Sequence, residues 1–404
     1  MNILFLHRNF PAQFKFLAME LAKDKNNNVF FVTNNADTKP FGNIKKITYK
    51  LKRKVPNDCH RYLRFYEESI IHGQSAAEAL ISLQSQGFKP DIIYGHSWGS
   101  SMFVKEIFPD VPYVAHLEWY YNPTNSDVDF GGKVLNIDEC ANLKCKNSHI
   151  LQDLISCDYG ISPTNWQKSQ FPEIFRDKIT VLHEGIDTNY CRPNDEATFK
   201  IPNSDLVFDR KDEILTYATR GMEEYRGFPQ FMEAASILMK QRPNLHVIVA
   251  GEDRVCYGRH LKDDTFKQKC LRDFEFDMSR LHFVGSLRYD EYVKLLQIST
   301  AHIYLTYPFV LSWSFLESMA IGCRIIASDT EPVKEVVKDG FNGILTDFFD
   351  VKQLVEKTNE VLNNPAEYDE MRQNARETIV ENYDLRNLLP KQVEFLKQRA
   401  NRQL

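Results

Sequence analysis

The sequence predicts an α/β protein built from two doubly wound, Rossmann-like domains. Short apolar runs alternate with longer stretches of helical periodicity, a pattern typical of parallel strands joined by helices. The pattern occupies about the first 190 residues, pauses in a polar stretch and then starts again. The chain has 404 residues, a length that suits two domains of ordinary size.

The first domain opens with the apolar stretch 2–6, which reads as a strand buried on both faces. A helix is expected from about Pro11, because apolar residues then recur at the spacing of one helix face. The remaining strands of this domain are predicted at 29–32, 91–94, 112–115 and 158–161.

A polar stretch with two prolines, 193–205, predicts a linker between the domains. We therefore predict domains at 1–195 and 205–384, with a C-terminal helix, 385–404, that packs back onto the first domain. Strands of the second domain are predicted at 214–218, 245–250, 281–284, 301–305 and 324–327.

Composition excludes several classes of protein. Fifty Lys and Arg stand against 55 Asp and Glu, so the net charge of −5 argues against a dominant nucleic-acid surface. No apolar run approaches the length of a membrane span. The eight cysteines form no CxxC pair and no zinc-ligand spacing. We expect a reduced, cytoplasmic protein without a disulfide scaffold or a structural metal.

The stretch 38–57 carries seven basic residues and no acidic residue. One interpretation is a docking surface, made by the basic stretch 39–54, for an anionic acceptor or for the inner face of a membrane. The other is a strand edge that lysines keep in solution and protect from aggregation.

Three charged residues indicate an anion site in the second domain. Arg220 and Arg226 follow its first strand and lead into a helix, where two guanidinium groups and helix N–H groups can converge on a phosphate. Glu317 lies on an otherwise apolar helix, and a carboxylate there is costly unless a ligand satisfies it. A ribose diol is one such ligand, while a buried Arg or a helix cap is the alternative partner.

Four motifs occur in order along the chain: 162–166, 179–187, the Arg220/Arg226 pair and 316–322. Together they resemble the retaining GT-B glycosyltransferases of family 4 (glycosyl transferases group 1). The resemblance implies two Rossmann-like domains that face a central cleft. It also implies transfer of a hexose, with retention and without a metal or other cofactor, from a nucleotide diphosphate donor such as a UDP-sugar.

The resemblance assigns roles to residues of the second domain. Arg220 and Arg226 match the family's phosphate-binding pair and act on the leaving group, and Glu317 matches the Glu that takes the ribose hydroxyls. Phe309 stands where the family has its first Glu, next to the transferred sugar. We expect the turn that follows it to contact the donor, through Leu311, Ser312, Trp313 and Ser314.

In the first domain, His116 follows a predicted strand, where the family carries a His near the transferred sugar; a buried core histidine is the alternative. The turn after the first strand lacks the family's glycines, so it is expected to shape the acceptor side. The rings after His116 suit sugar stacking or simply anchor a loop. The predicted acceptor-side residues are Asn9, Trp98, Glu118, Trp119 and Tyr120.

Two rival functions remain open: a sugar phosphorylase or epimerase of the same fold, and a nucleotide-sugar-binding partner that has lost turnover, which Phe309 makes conceivable. A dinucleotide oxidoreductase is disfavoured, because no G-x-G-x-x-G turn follows the first strand. A saccharide, a lipid-linked saccharide or a protein are all open as acceptors. The sequence leaves the nucleotide base, the sugar, the linkage and the oligomeric state undetermined.

Overall fold

A computed structural model describes residues 1–401. The chain forms two compact units: an N-terminal unit of Met1–Gly185 joined by the C-terminal segment from Arg386, and a C-terminal unit of Ile186–Leu385. The division at Gly185 and Ile186 lies earlier than the predicted stretch 195–205. The reason is that the segment after Ile186 pairs and packs with the C-terminal unit.

Within the described residues, seven parallel strands form the sheet of the N-terminal unit, in the order β3-β2-β1-β4-β5-β6-β7. The strands are β1 Asn2–Leu6, β2 Asn28–Thr33, β3 Ile44–Thr48, β4 Ile92–His96, β5 Tyr113–His116, β6 Tyr159–Ser162 and β7 Ile179–Val181. The helices are α1 Lys15–Lys23, α2 Arg64–Ser85, α3 Val104–Ile107, α4 Ile137–Lys146, α5 Ser148–Ser156, α6 Asn165–Gln170 and α7 Glu173–Arg176.

The basic stretch 39–54 includes β3, which is the edge strand of this sheet. Its charges have local acceptors: Lys45 donates to Asn28, Lys52 pairs with Glu78, and Arg53 pairs with Glu67. An edge strand carrying lysines is a common protection against pairing with another chain. The placement of β3 therefore favours the strand-edge interpretation of this stretch.

The C-terminal unit repeats the architecture in the described part of the chain, with six parallel strands in the order β12-β11-β10-β13-β14-β15. The strands of the unit are β8 Phe199–Lys200, β9 Val207–Phe208, β10 Ile214–Gly221, β11 His246–Glu252, β12 Leu281–Gly285, β13 Ala301–Tyr304, β14 Ile325–Ser328 and β15 Ile344–Thr346. The helices are α8 Phe228–Gln241, α9 Phe266–Asp273, α10 Tyr289–Gln297, α11 Trp313–Ile321, α12 Glu331–Lys334, α13 Val351–Asn363 and α14 Asp369–Asn382.

The stretch predicted as a linker, 193–205, is instead packed structure. Strands β8 and β9 form an antiparallel hairpin, and Phe199, Ile201 and Phe208 are buried in a core cluster with residues of β10 and β11. The polar residues and prolines that suggested a linker lie around this hairpin, whose burial depends on contacts distant in the sequence.

The last helix, α15 Leu385–Ala400, returns to the N-terminal unit, as predicted. Phe395 and Leu396 are buried against Ile3, Phe5 and other residues of the first sheet. The last three residues of the predicted helix, 402–404, lie outside the described part of the chain.

Both sheets reverse their strand order once, between β1 and β4 and between β10 and β13. Ligands of open α/β sheets bind outside the carboxyl ends of the strands at such a point. His7 follows β1 and His96 ends β4, while Arg220 lies at the end of β10 and Thr306 follows β13. The fold thus brings polar residues, including the predicted Arg220, to the ligand-binding edge of each sheet.

Candidate active site

Arg226 is a buried cation at the carboxyl edge of the C-terminal sheet. It ends the short 3₁₀ turn Glu224–Arg226 before α8, and only 8% of the residue is exposed. Its Nη1 donates to the hydroxyl of Tyr304 at 3.1 Å and to Oγ1 of Thr306 at 2.7 Å. No carboxylate within residues 1–401 pairs with it. Because a buried charge without a counter-ion is costly, this arrangement favours the binding of an anion.

The N-terminus of α11 and Arg226 both donate hydrogen bonds to Tyr304. The backbone N–H of Ser312 donates to the Tyr304 hydroxyl at 3.1 Å, so one oxygen accepts from both the guanidinium and the helix N-cap. In the part of the chain that the structure describes, the N–H groups of Val310 and Leu311 have no acceptor. A helix N-terminus beside a guanidinium is a favourable environment for phosphate.

In the turn predicted to contact the donor, the serine hydroxyls form hydrogen bonds within the turn, while the side chains differ in burial. The hydroxyls of Ser312 and Ser314 lie 2.7 Å apart, and Ser312 Oγ accepts from the N–H of Ser314, which caps the helix. Leu311 is buried in the core cluster of this unit, whereas 42% of Trp313 is exposed. Arg220, at the end of β10, is exposed and forms no ion pair with the described residues.

Glu223 supports a loop beside Arg226, and the sequence analysis missed it. Its side chain is completely buried, and its carboxylate accepts the N–H groups of Cys256, Tyr257 and Gly258 at 3.1, 2.9 and 2.7 Å. This holds the loop after β11 in place, so that the Tyr257 ring lies 5.2 Å from the guanidinium carbon of Arg226. The only signal in the sequence is an acid between the two predicted phosphate-binding arginines.

Phe309, which replaces the family's first Glu, belongs to an aromatic cluster beside Arg226. Its ring lies 5.3 Å from that of Tyr257 and 6.0 Å from that of Tyr225, and Tyr225 stacks on Tyr307 at 4.6 Å. Only 8% of Phe309 is exposed. Phe309 therefore packs against other aromatic rings, whereas a Glu at this position would offer a carboxylate for hydrogen bonding.

Glu317 lies on α11, about 7.5 Å along the helix axis from Ser312. Its Oε1 accepts a hydrogen bond from the Tyr289 hydroxyl at 2.7 Å, and burial raises the pKa of its carboxyl above the ordinary value. The expected alternative partners, a buried Arg or a capped helix, do not occur within residues 1–401. Helix α11 thus carries Glu317 and, at its N-terminus, the Ser312 N–H that shares the Tyr304 hydroxyl with Arg226.

The N-terminal sheet carries a cluster of histidines at its carboxyl edge. The rings of His7 and His96 are 4.6 Å apart, and those of His96 and His116 are 5.1 Å apart. Nδ1 of His116 lies 3.0 Å from the Tyr94 hydroxyl. Burial holds the pKa of His7 and that of His96 well below the ordinary value, so both imidazoles are neutral at pH 7. Neutral imidazoles offer one donor and one acceptor each, which suits hydroxyl groups.

Two carboxylates flank these histidines. Oε2 of Glu118 lies 3.4 Å from Nε2 of His96, and Oε1 of Glu184 lies 3.3 Å from Nε2 of His116. Burial raises the pKa of Glu118. Burial also opposes ionisation of Glu184, but His183 and His116 outweigh it and lower the pKa of Glu184 to about 2. Glu184 was not predicted as a site residue, although it lies in one of the quoted motifs.

The other predicted acceptor-side residues differ in exposure. Asn9 is exposed, and 37% of Trp98 is exposed with its ring 4.3 Å from that of His96. Trp119 is buried, and Tyr120 packs on Phe171 in the core of the unit, with the two rings 5.9 Å apart. These contacts favour the loop-anchoring interpretation for Trp119 and Tyr120 over sugar stacking.

One Asp-x-Asp sequence, 127–129, lies in the loop after β5. The carboxylate of Asp129 accepts the N–H groups of Asn125 and Ser126 at 2.8 and 2.9 Å, so it stabilises the loop. Among residues 1–401, no three His, Cys, Asp or Glu side chains are grouped as a metal site would need. Over the same residues, no helix combines the length and the apolar character needed to cross a membrane.

The chain has two Rossmann-like sheets whose first six strands follow the same order. A buried arginine and a helix N-terminus lie at the edge of the second sheet. This architecture is that of the GT-B class. The family model described as Glycosyl transferase family 4 group matches residues 25–191, and the model described as Glycosyl transferases group 1 matches residues 202–378. Together they cover more than four fifths of the chain. The chain is a glycosyltransferase with the GT-B fold.

Solved structures share this fold over nearly the whole chain. HepE from Anabaena, in complex with UDP-glucose, is 15% identical, with a TM-score of 0.70 over 98% of this chain and 100% of its own. Sucrose-phosphate synthase from Thermosynechococcus elongatus is 13% identical, with a TM-score of 0.75 over 98% of each chain. A glycosyltransferase from Rickettsia africae is 15% identical, with a TM-score of 0.66 over 99% of this chain and 98% of its own. No curated protein sequence matches the chain.

Proposed function

We propose that the protein transfers a sugar from a nucleoside diphosphate donor, with UDP as the nucleotide, to an acceptor hydroxyl. The observation that carries the proposal is Arg226: a buried guanidinium that has no carboxylate partner among the described residues and shares an acceptor with the N-terminus of α11. Arg226 and the exposed Arg220 bind the diphosphate, and Glu317 accepts the ribose hydroxyls. The UDP-glucose complex of HepE supports this choice of ligand.

The proposed chemistry proceeds with retention, as in glycosyltransferase family 4, to which we assign the chain. The bond between the anomeric carbon and the diphosphate oxygen breaks, and the acceptor oxygen bonds to the same face of that carbon. The acceptor proton passes to the departing diphosphate oxygen, so no side-chain base is required. Arg226 and the helix N-terminus stabilise the charge that builds on the leaving group. The reaction is proposed not to need a metal ion.

The proposed acceptor is a saccharide, free or lipid-linked. The neutral imidazoles of His7 and His96 and the carboxylates of Glu118 and Glu184 offer donors and acceptors that suit sugar hydroxyls. His116 is proposed to contact the transferred sugar. A peripheral position at the inner face of a membrane has weaker support, because three basic side chains of the stretch 39–54 have local acceptors.

The diphosphate site is tested by calorimetric titration with UDP, ADP and GDP. Arg226→Met should weaken binding of the preferred nucleotide about 100-fold, because two charge-assisted hydrogen bonds are lost. Arg226→Lys should recover part of the affinity, since it keeps the charge. Arg272→Gln, a change at an exposed arginine of α9 in the same unit, is the control. Affinity that survives in Arg226→Met contradicts the proposal.

Retention and metal independence are tested on the product. The anomeric configuration, read by NMR, should be that of the donor, and activity should survive EDTA. Inversion, or activity that only a divalent ion restores, contradicts these two parts of the proposal.

A second candidate is a nucleotide-sugar-binding partner without turnover, which the packing of Phe309 favours. In relatives of the family the replaced Glu contacts the transferred sugar, whereas the Phe309 ring packs against the rings of Tyr225 and Tyr257. Nucleotide release from the sugar donor over hours, with and without a panel of acceptors, separates the candidates. Tight nucleotide-sugar binding with no release under any condition supports the partner function.

A further inference from the structure

A half-exposed tyrosine holds the carboxylate that the proposed function assigns to the donor ribose. Tyr289 is the first residue of α10, and 48% of it is exposed. Its hydroxyl donates to Oε1 of Glu317 at 2.7 Å. No motif predicted a role for this residue, and the contact joins α10 to α11 at the edge of the sheet.

The Tyr289 ring is fixed by its neighbours. Tyr190 stacks on it at 5.2 Å with an interplanar angle of 12°, and Tyr292 lies 6.0 Å away at 29°. The thiol sulfur of Cys191 is 3.1 Å from the Tyr289 hydroxyl. The position of the hydroxyl is therefore set by protein contacts before a ligand binds, which is the support that a precise binding group requires.

Glu317 depends on such a partner because it is largely removed from water. Burial raises the pKa of its carboxyl, and the hydrogen bond from Tyr289 opposes that effect. Within residues 1–401, no lysine or arginine pairs with Glu317. Tyr289 therefore provides part of the stabilisation that a cation gives in an ion pair, and it leaves the carboxylate as an acceptor for ligand hydroxyls.

We propose that Tyr289 is a positioning residue, which orients Glu317 toward the donor ribose and makes the site selective for ribonucleotide over deoxyribonucleotide donors. This inference rests on the proposed function. A carboxylate held in one orientation matches the two hydroxyls of a ribose. A 2′-deoxyribose offers one hydroxyl fewer and leaves part of the half-buried carboxylate unpaired, which costs affinity.

The test compares nucleotides that differ only at the sugar. The tightest binder among UDP, ADP and GDP is titrated beside its 2′-deoxy counterpart, and the wild type should prefer the ribonucleotide at least about tenfold. Tyr289→Phe should weaken ribonucleotide binding about tenfold and leave the deoxyribonucleotide within about twofold, because only the ribose uses the oriented carboxylate. In turnover, the loss should fall on KM for the donor and not on kcat.

Tyr190→Phe is the matched control. It keeps the ring that stacks on Tyr289 and removes a hydroxyl that contacts no described residue, so the ribose preference should equal that of the wild type. Full wild-type preference in Tyr289→Phe overturns the inference, as does an equal loss for both nucleotides, which indicates a merely structural role.

Glu317→Gln separates this inference from the function on which it rests. If Glu317→Gln binds the ribonucleotide as tightly as the wild type does, the proposed ribose site itself fails. If Glu317→Gln loses affinity and ribose preference while Tyr289→Phe retains both, the ribose site stands and only the role of Tyr289 is rejected.

Discussion

Replacing Glu223 by Gln tests the internal contact that supports the diphosphate site. The buried carboxylate accepts three backbone N–H groups, one on Oε1 and two on Oε2. In Glu223→Gln the amide oxygen can keep two of them as weaker, neutral hydrogen bonds. The amide N–H₂ then faces the third N–H, so that hydrogen bond is lost and the donor is left without an acceptor.

The magnitude follows from these contacts. Losing one hydrogen bond to a charged group costs roughly 1.5–3 kcal/mol, and weakening two others adds about 0.5 kcal/mol each. We therefore expect the C-terminal unit to lose about 3 kcal/mol of unfolding free energy. For a unit of this size, that corresponds to a Tm lower by roughly 6–12 °C.

The assay is calorimetric unfolding combined with amide hydrogen exchange of the loop after β11. The variant should show the lower transition and faster exchange at Cys256, Tyr257 and Gly258. Glu224→Gln, at the exposed neighbouring residue, is the control and should change neither. A Glu223→Gln transition within about 1 °C of the wild type, with unchanged exchange, refutes the reasoning.

Two further predictions concern stability. Asp153 is completely buried and accepts from Ser101 and Tyr113, and burial raises its pKa to about 7. Its carboxyl holds a proton more tightly in the folded state, so the wild type should lose stability as pH rises from about 4 through 7. Asp153→Asn should remove that dependence and be more stable by about 2–4 kcal/mol at pH 8 in urea denaturation; parallel pH curves for the two proteins contradict this. Phe309→Ala should destabilise the C-terminal unit by about 3 kcal/mol, since it opens a cavity beside Tyr257, and a thermal transition unchanged from the wild type contradicts the packing role.

The sequence predicts the buried strands well because their apolar character does not depend on distant contacts. Strands β1 and β13 begin at the expected residues, and the parallel pairing within both sheets follows from the alternation with helices. It gives β3 only as one of two interpretations of the basic stretch, because lysines interrupt the apolar pattern of an edge strand. The sequence analysis also predicts a linker where β8 and β9 form a hairpin, because the residues that bury the hairpin lie far along the chain.

The sequence indicates those residues of the candidate site whose own charge or ring chemistry suggests a role. Arg226 is indicated by its charge and its position after a strand, Glu317 by its charge on an apolar helix, and His116 by its place at a strand end. Their supporting residues are not, because Glu223 acts on a loop more than 30 residues away and Tyr289 binds a carboxylate 28 residues away. Such contacts arise only when the strands are assembled.

The most direct test of the diphosphate site is a crystal structure of the protein with UDP bound. Phosphate oxygens should lie within about 3 Å of the Arg226 guanidinium and face the N-terminus of α11, with the ribose hydroxyls on Glu317. A diphosphate bound elsewhere, with no phosphate oxygen on Arg226, would contradict the proposed function.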